Sequence, residues 1–304
     1  MSAPVISFEE GEAVLDWIAL TDALAAGHDL PKAEVADSFL YRGDDTLLTR
    51  SAWIDGLGVA IKAATIFPGN PAKGLGTVNG AMSLLSDADG QLEAMIDFHL
   101  VTKWKTAADS LLAARRLAPP EVKCILILGA GTVAASLREA YAAAFPDAEF
   151  LIWNRTTEKA EALAADYDAT RAVTDLPAAV TQADIVTCGT SGGVPVLKGE
   201  WLRPGQHVDL IGAFKPGMRE ADDAALSRAR LFVDSRDTTI GHIGEIDLPL
   251  ESGAITKDDI LADYYQLDAF QRAPEDLTLF KNGGGAHLDL MTARHILTAW
   301  TERA

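Results

Sequence analysis

The chain has 304 residues and a mass of 32.3 kDa, enough for two ordinary domains, and its 48% hydrophobic and 23% charged content excludes a largely disordered polypeptide. Acids outnumber bases 44 to 26, giving a net charge of −18 and an isoelectric point near 4.6. That balance argues against nucleic acid or an anionic membrane as the main partner, since both are bound through surplus Lys and Arg; it leaves room for a small anion held by a few local cations.

The N-terminus, MSAPVISFEE, has no signal-peptide pattern, and no apolar run reaches the roughly 18 residues of a membrane span, so a cytoplasmic enzyme is expected. A helix is expected around 9–26. Strand patterns follow at 47–54, 59–67, 77–85 and 91–98, separated by Asp55-Gly56, by 68–76 and by 87–90, and they predict an antiparallel or mixed sheet. A helix is predicted over 102–117, with Thr102 as N-cap and Pro119-Pro120 as its stop.

From residue 122 the pattern changes to alternating apolar strands and helices. Strands are read at 122–129, 149–154, 183–189, 207–213, 230–235 and 277–282, and helices at 132–145, 157–167 and about 286–303. Near-continuous apolar strands between helices imply a parallel sheet covered on both faces. Cys124 and Cys188 lie in two of these strands and read as buried core thiols rather than a disulfide or metal pair. The six histidines show no metal-binding spacing, so no metal is expected; His99 and His287 read as structural, with a place lining the cleft as the alternative.

Gly129-Ala130-Gly131-Thr132-Val133-Ala134 reads G-x-G-x-x-A between a strand and a helix. The first glycine suits a tight turn, the second lets backbone approach a pyrophosphate, and Ala134 permits close helix packing, so a dinucleotide site is predicted. The second strand ends in Asn154-Arg155-Thr156 rather than the acid that holds an NAD ribose. A guanidinium and hydroxyls suit a 2′-phosphate, which favours NADP(H), with NAD(H) as the alternative.

Several stretches together resemble the ornithine cyclodeaminase/μ-crystallin family: VAIKAATIFPGN, TKWKTAADSLLAA, LGAGTVAAS, IWNRTTEKAE, GEWLRPGQHVDLIGAFKPGMRE, HIGEI and TLFKNGGGAHLD. The resemblance implies an α/β protein in which a Rossmann-type doubly wound parallel sheet, residues 119–286, accompanies a discontinuous α+β substrate and dimerisation domain, 1–118 completed by 287–304. It implies a homodimer, a nicotinamide held in the cleft between the domains, and small α-amino, α-keto or cyclic imino acid substrates. Carried over by motif, Arg42, Lys62 and Lys105 would bind a substrate carboxylate. Thr106, Gly129, Gly131, Thr132, Val133, Asn154, Arg155, Thr156, Thr190 and Gly212 would bind cofactor.

Two departures bear on the reaction. Lys105 replaces the arginine common at the helix motif and cannot form a bidentate fork to a carboxylate. Phe214 stands where cyclodeaminase members carry an aspartate, and it can move no proton. The reading is therefore NAD(P)H-dependent reduction of a cyclic imino acid: Δ1-pyrroline-2-carboxylate to L-proline, or its six-membered homologue to L-pipecolate. Lys62 would be the catalytic group and Phe214 would pack against the substrate ring. An ornithine cyclodeaminase, an alanine dehydrogenase-type enzyme and a non-catalytic NADPH-binding crystallin-like protein are the alternatives. The cations at the cleft would form a basic exception on an acidic surface.

Overall fold

The computed structural model describes residues 3–190 and 192–303. The chain divides into two compact units, Met1–Lys105 with Gly285–Ala304, and Thr106–Gly284. The first boundary falls inside a helix, not at Pro119-Pro120 where the sequence pattern places it.

The first unit is built on a six-stranded sheet of order β1-β6-β5-β4-β3-β2. Its strands are β1 (Val5–Ile6), β2 (Glu34–Arg42), β3 (Asp45–Ile54), β4 (Gly58–Ile66), β5 (Val78–Leu85) and β6 (Leu92–Asp97). Strands β2 to β6 form an antiparallel meander, and β1 joins β6 in parallel. The helix expected at 9–26 is two helices, α1 (Phe8–Glu12) and α2 (Trp17–His28). The break is capped: Asp16 accepts a hydrogen bond from the Ala19 amide at 2.8 Å and starts α2 afresh.

Helix α3 (Phe98–Leu117) begins earlier than Thr102 because the Asp97 carboxylate caps it, accepting from the Leu100 amide at 2.9 Å. In β4, Gly58, Ala60, Lys62 and Ala64 are buried while Ile61 is exposed, so the period-two alternation turns Lys62 inward. The last helix, taken up below as α10, covers this face, packing on β3, β4 and β5 and on α2.

The second unit carries eight strands in the order β13-β12-β14-β11-β10-β7-β8-β9. These are β7 (Cys124–Leu128), β8 (Glu149–Trp153), β9 (Thr170–Ala172), β10 (Ile185–Cys188), β11 (His207–Leu210), β12 (Arg230–Val233), β13 (Ile260–Ala262) and β14 (Thr278–Lys281), and every pairing is parallel. Between them run α4 (Thr132–Ala144), α5 (Thr157–Ala165), α6 (Leu176–Gln182), α7 (Asp223–Arg228), α8 (Arg236–Thr239) and α9 (Gly244–Ser252); α10 (Ala286–Arg303) closes the chain. Strands β7, β10, β11 and β14 are buried along their whole length and β8 through its three central residues, as a sheet covered on both faces requires. The strand order reverses between β7 and β10, which makes the carboxyl ends of those strands the place for a ligand.

Candidate active site

In the first unit the strand register lines up one row of side chains. Asp37 pairs with Arg50, Arg50 with Lys62, and Lys62 with Met82, across β2, β3, β4 and β5. Arg50 donates from Nε and Nη2 to Asp37 Oδ2 at 3.0 and 2.9 Å. Lys62, only 8% exposed, donates to Asp289 Oδ1 at 2.9 Å and lies 4.9 Å from the centre of the Phe98 ring. Asp289 sits in the first turn of α10, where a carboxylate is favoured by the helix dipole. Burial pushes the Lys62 ammonium below its ordinary value; Asp289 opposes that shift, while Lys105 and Arg50 add to it by repulsion.

Three cations, Arg50, Lys62 and Lys105, therefore converge beside one buried acid. Lys105 is equally buried and, because α3 starts at Phe98, stands past the first helical turn in which an N-cap at Thr102 would place it. Its neighbours in α3 are tied down: Lys103 bonds Glu12 Oε1 at 2.5 Å, and Trp104 donates to Glu12 Oε2 at 2.6 Å and stacks on Trp17.

Arg42 does not join this group. It ends β2 at the hairpin, its side chain is 79% exposed, and it pairs with Asp45 at 2.9 Å. Arg50 is not marked by any motif in the sequence. The signal for it was present, since strands 47–54 and 59–67 read as a hairpin, and their register sets Arg50 against Lys62. His287 is buried edge-on against His28, 5.5 Å away, and burial holds it well below the usual histidine range; His99 is exposed beside Phe98.

In the second unit a cavity of about 350 Å³ is lined by the glycine turn and by the loop ends after β8 and β10. Gly129 has φ +117°, and a Cβ there would lie 2.9 Å from the Gly189 carbonyl, so only glycine allows β7 and β10 to end this close together. Gly131 is the N-cap of α4 and supplies no side-chain cap, which leaves the first amides of α4 for an anion. Thr132 is exposed at the helix start, Val133 packs against Gly189, and Ala134 is fully buried. Asn154 and Arg155 line the cavity at the end of β8, with Asn154 Nδ2 donating to the Thr156 carbonyl at 2.9 Å. These features fit a pyrophosphate and an adenosine ribose.

Thr190 lines the same cavity, and its amide and hydroxyl both donate to Glu220 Oε1, at 2.7 and 2.8 Å; the Gly212 amide donates to Glu220 Oε2 at 2.6 Å. Thr106 accepts from Asn282 Nδ2 through its carbonyl at 3.1 Å. Phe214 is 65% exposed on the loop after β11, which ends at Leu210 rather than at residue 213. The buried charges Glu220, Glu245 and Lys281 were not singled out in the sequence, although all three stand in stretches that carry the family resemblance.

The second unit thus belongs to the Rossmann class of doubly wound α/β domains, with a glycine-lined cavity at its topological switch point. Residues 51–304 match the ornithine cyclodeaminase/mu-crystallin family, and the chain belongs to that family. It is 52% identical over 305 aligned residues to the Delta(1)-pyrroline-2-carboxylate reductase of Paracoccus denitrificans, covering 97% of this chain and 96% of the relative. It is 33% identical to the ketimine reductase mu-crystallin of Rattus norvegicus, over 79% of this chain and 75% of that one. Among solved structures, the Thermococcus litoralis Delta(1)-pyrroline-2-carboxylate reductase in complex with NADH and L-proline superposes with a TM-score of 0.89 at 23% identity, covering 98% of each chain, a likeness of fold. No helix among the described residues is long and apolar enough to cross a membrane.

Proposed function

We propose that this protein is a nicotinamide-dependent reductase of cyclic imino acids, converting Δ1-pyrroline-2-carboxylate to L-proline and accepting the six-membered homologue. The observation that carries the reading is the buried Lys62, held by Asp289 and flanked by Arg50 and Lys105. A lysine is costly inside a sheet face unless it has work there, and three cations against the two carboxylates Asp37 and Asp289 leave one positive charge in excess as a seat for an anionic substrate. The 52% identity to a curated reductase of this substrate supports the same reading.

When bound, the reduced nicotinamide supplies the hydride that the imine carbon accepts. The chain's own residues do the rest. Arg50 and Lys105 hold the substrate carboxylate and fix which carbon is presented. Lys62, charged and hydrogen-bonded to Asp289, gives a proton from Nζ to the imine nitrogen, so that C=N becomes CH–NH. Phe214, lacking a carboxylate, gives no acid–base help to deamination.

Arg155 and Asn154 favour NADP(H), since the end of β8 carries no acid to repel a 2′-phosphate. A homodimer accounts for β2: it is an edge strand exposed along all nine residues, with Phe39, Leu40 and Tyr41 between 48% and 73% exposed. The activity is tested by following NADPH and NADH oxidation with five- and six-membered cyclic imino acids, with and without ammonia.

A further inference from the structure

We infer that Glu220 is a positioning residue for the cofactor, a buried carboxylate that clasps the loop ends after β10 and β11 into the shape that receives the nicotinamide half of the dinucleotide. Glu220 is 1% exposed and lies in the segment between β11 and α7. One of its oxygens takes both donors of Thr190, and the other takes the Gly212 amide. The two loops it joins already touch: a Cβ on Gly212 would fall 1.8 Å from the Thr190 carbonyl and 2.6 Å from Glu220 Oε1. Gly212 therefore serves this clasp as the one residue small enough to bring its amide to the carboxylate.

The clasp is itself anchored. Glu245, fully buried at the start of α9, accepts the Glu220 amide at 2.6 Å and the Ala221 amide at 3.1 Å, which fixes the backbone that carries Glu220. Burial raises the pKa of Glu220, to about 8, and that of Glu245; Lys281, fully buried on β14 and donating to the Leu210 carbonyl at 2.9 Å, opposes both shifts. Three donors aimed at one carboxylate constitute a built feature, because buried carboxylates are retained only where they are fully bonded.

Its place in the fold gives the clasp its role. A dinucleotide with its pyrophosphate on the Gly129–Gly131 turn would have Asn154 and Arg155, at the end of β8, to hold its adenosine half, and the loops after β10 and β11 to hold its other half. Thr190 lies on that second side. Glu220 itself does not line the cavity, so its effect passes through Thr190 and Gly212.

This inference rests on the nicotinamide-dependent reading above. It is tested with Glu220→Gln, in which an amide NH₂ faces at least one of the donors that the carboxylate accepts. Calorimetric affinities for NADPH and for its adenosine half, 2′,5′-ADP, are measured on wild type and variant, with NADH and ADP in parallel. The expected result is a rise in the dissociation constant of the whole cofactor of about tenfold or more, with the adenosine fragment unchanged. Equal affinities for both ligands in wild type and variant, or a parallel loss of both, would overturn it. If Glu220→Gln does not fold, Glu220→Asp, which keeps the charge but withdraws it by one methylene, is measured in the same way with the same expected split. A wild-type protein that binds neither NADPH nor NADH would overturn the cofactor reading and this inference with it.

Discussion

Arg50 stands directly opposite Lys62 on the neighbouring strand, and the two share the face of the sheet that α10 covers. Each cation has its own acid, Asp37 for Arg50 and Asp289 for Lys62, so the pair is kept in register without either charge being cancelled by the other's partner. An anion placed over them meets two fixed positive groups, with Lys105 as a third.

If Lys62 delivers the proton and helps seat the carboxylate, Lys62→Met removes both. Turnover of Δ1-pyrroline-2-carboxylate, as kcat/KM, is expected to fall by about 100-fold or more. Calorimetric affinity for NADPH is expected to stay within about twofold, since the glycine turn is untouched. A variant with near wild-type kinetics would remove Lys62 from the mechanism.

Asp289 raises the Lys62 pKa against the lowering effect of burial. In Asp289→Asn that support is lost, so the lysine gives up its proton at lower pH than in wild type. Activity that needs protonated Lys62 is lost as pH rises through its pKa, and the alkaline limb of the kcat/KM profile therefore moves to lower pH. An unmoved or upward-shifted limb in a pH–rate series would contradict this.

The two arginines make opposite predictions. Arg50→Gln should raise KM for the imino acid by about tenfold or more, as expected for loss of a charge-assisted contact to a carboxylate. Arg42→Gln, at an exposed hairpin end, should leave KM within about twofold. Steady-state kinetics on both variants decide between the residue the register places beside Lys62 and the residue that sequence similarity alone suggests.

For the coenzyme, Arg155→Ala should weaken NADPH by about tenfold while leaving NADH nearly unchanged, because only the former carries a 2′-phosphate. The ratio of the two kcat/KM values reads this directly. An equal loss with both coenzymes would mean that Arg155 does not face the ribose.

The exposed edge strand predicts an assembly. Tyr41→Asp puts a charge among Phe39, Leu40 and Tyr41. Sedimentation velocity should show a dimer for wild type and monomer for the variant, and a wild-type monomer would leave the exposed β2 without an occupant.

Much of this architecture is written in local pattern. Six of the eight strands of the second unit are largely apolar runs of four or five residues, and the G-x-G-x-x-A turn marks the ligand side of the sheet, whereas β9 and β13, three residues each, are too short to leave a pattern. Strand β2 escaped because all nine of its residues are exposed, so it has no hydrophobic alternation to read. The helical pattern at 9–26 runs on through the Asp16 cap, and Thr102 has the side chain of an N-cap although Asp97 is the residue that caps α3. The partners of Lys62 were illegible for a different reason. Asp289 lies more than two hundred residues away in sequence, and an ion pair of that span leaves no local trace. The Glu220 clasp is likewise tertiary, joining the loops after β10 and β11 that only the closed sheet brings together.

The most direct measurement of the central claim is stopped-assay product analysis with purified protein and two substrates. Δ1-pyrroline-2-carboxylate with NADPH, in the absence of ammonia, should yield L-proline with stoichiometric NADPH oxidation, while L-ornithine with NAD should release no ammonia. Efficient ammonia release and proline formation from ornithine, with little reduction of the imino acid, would contradict the account.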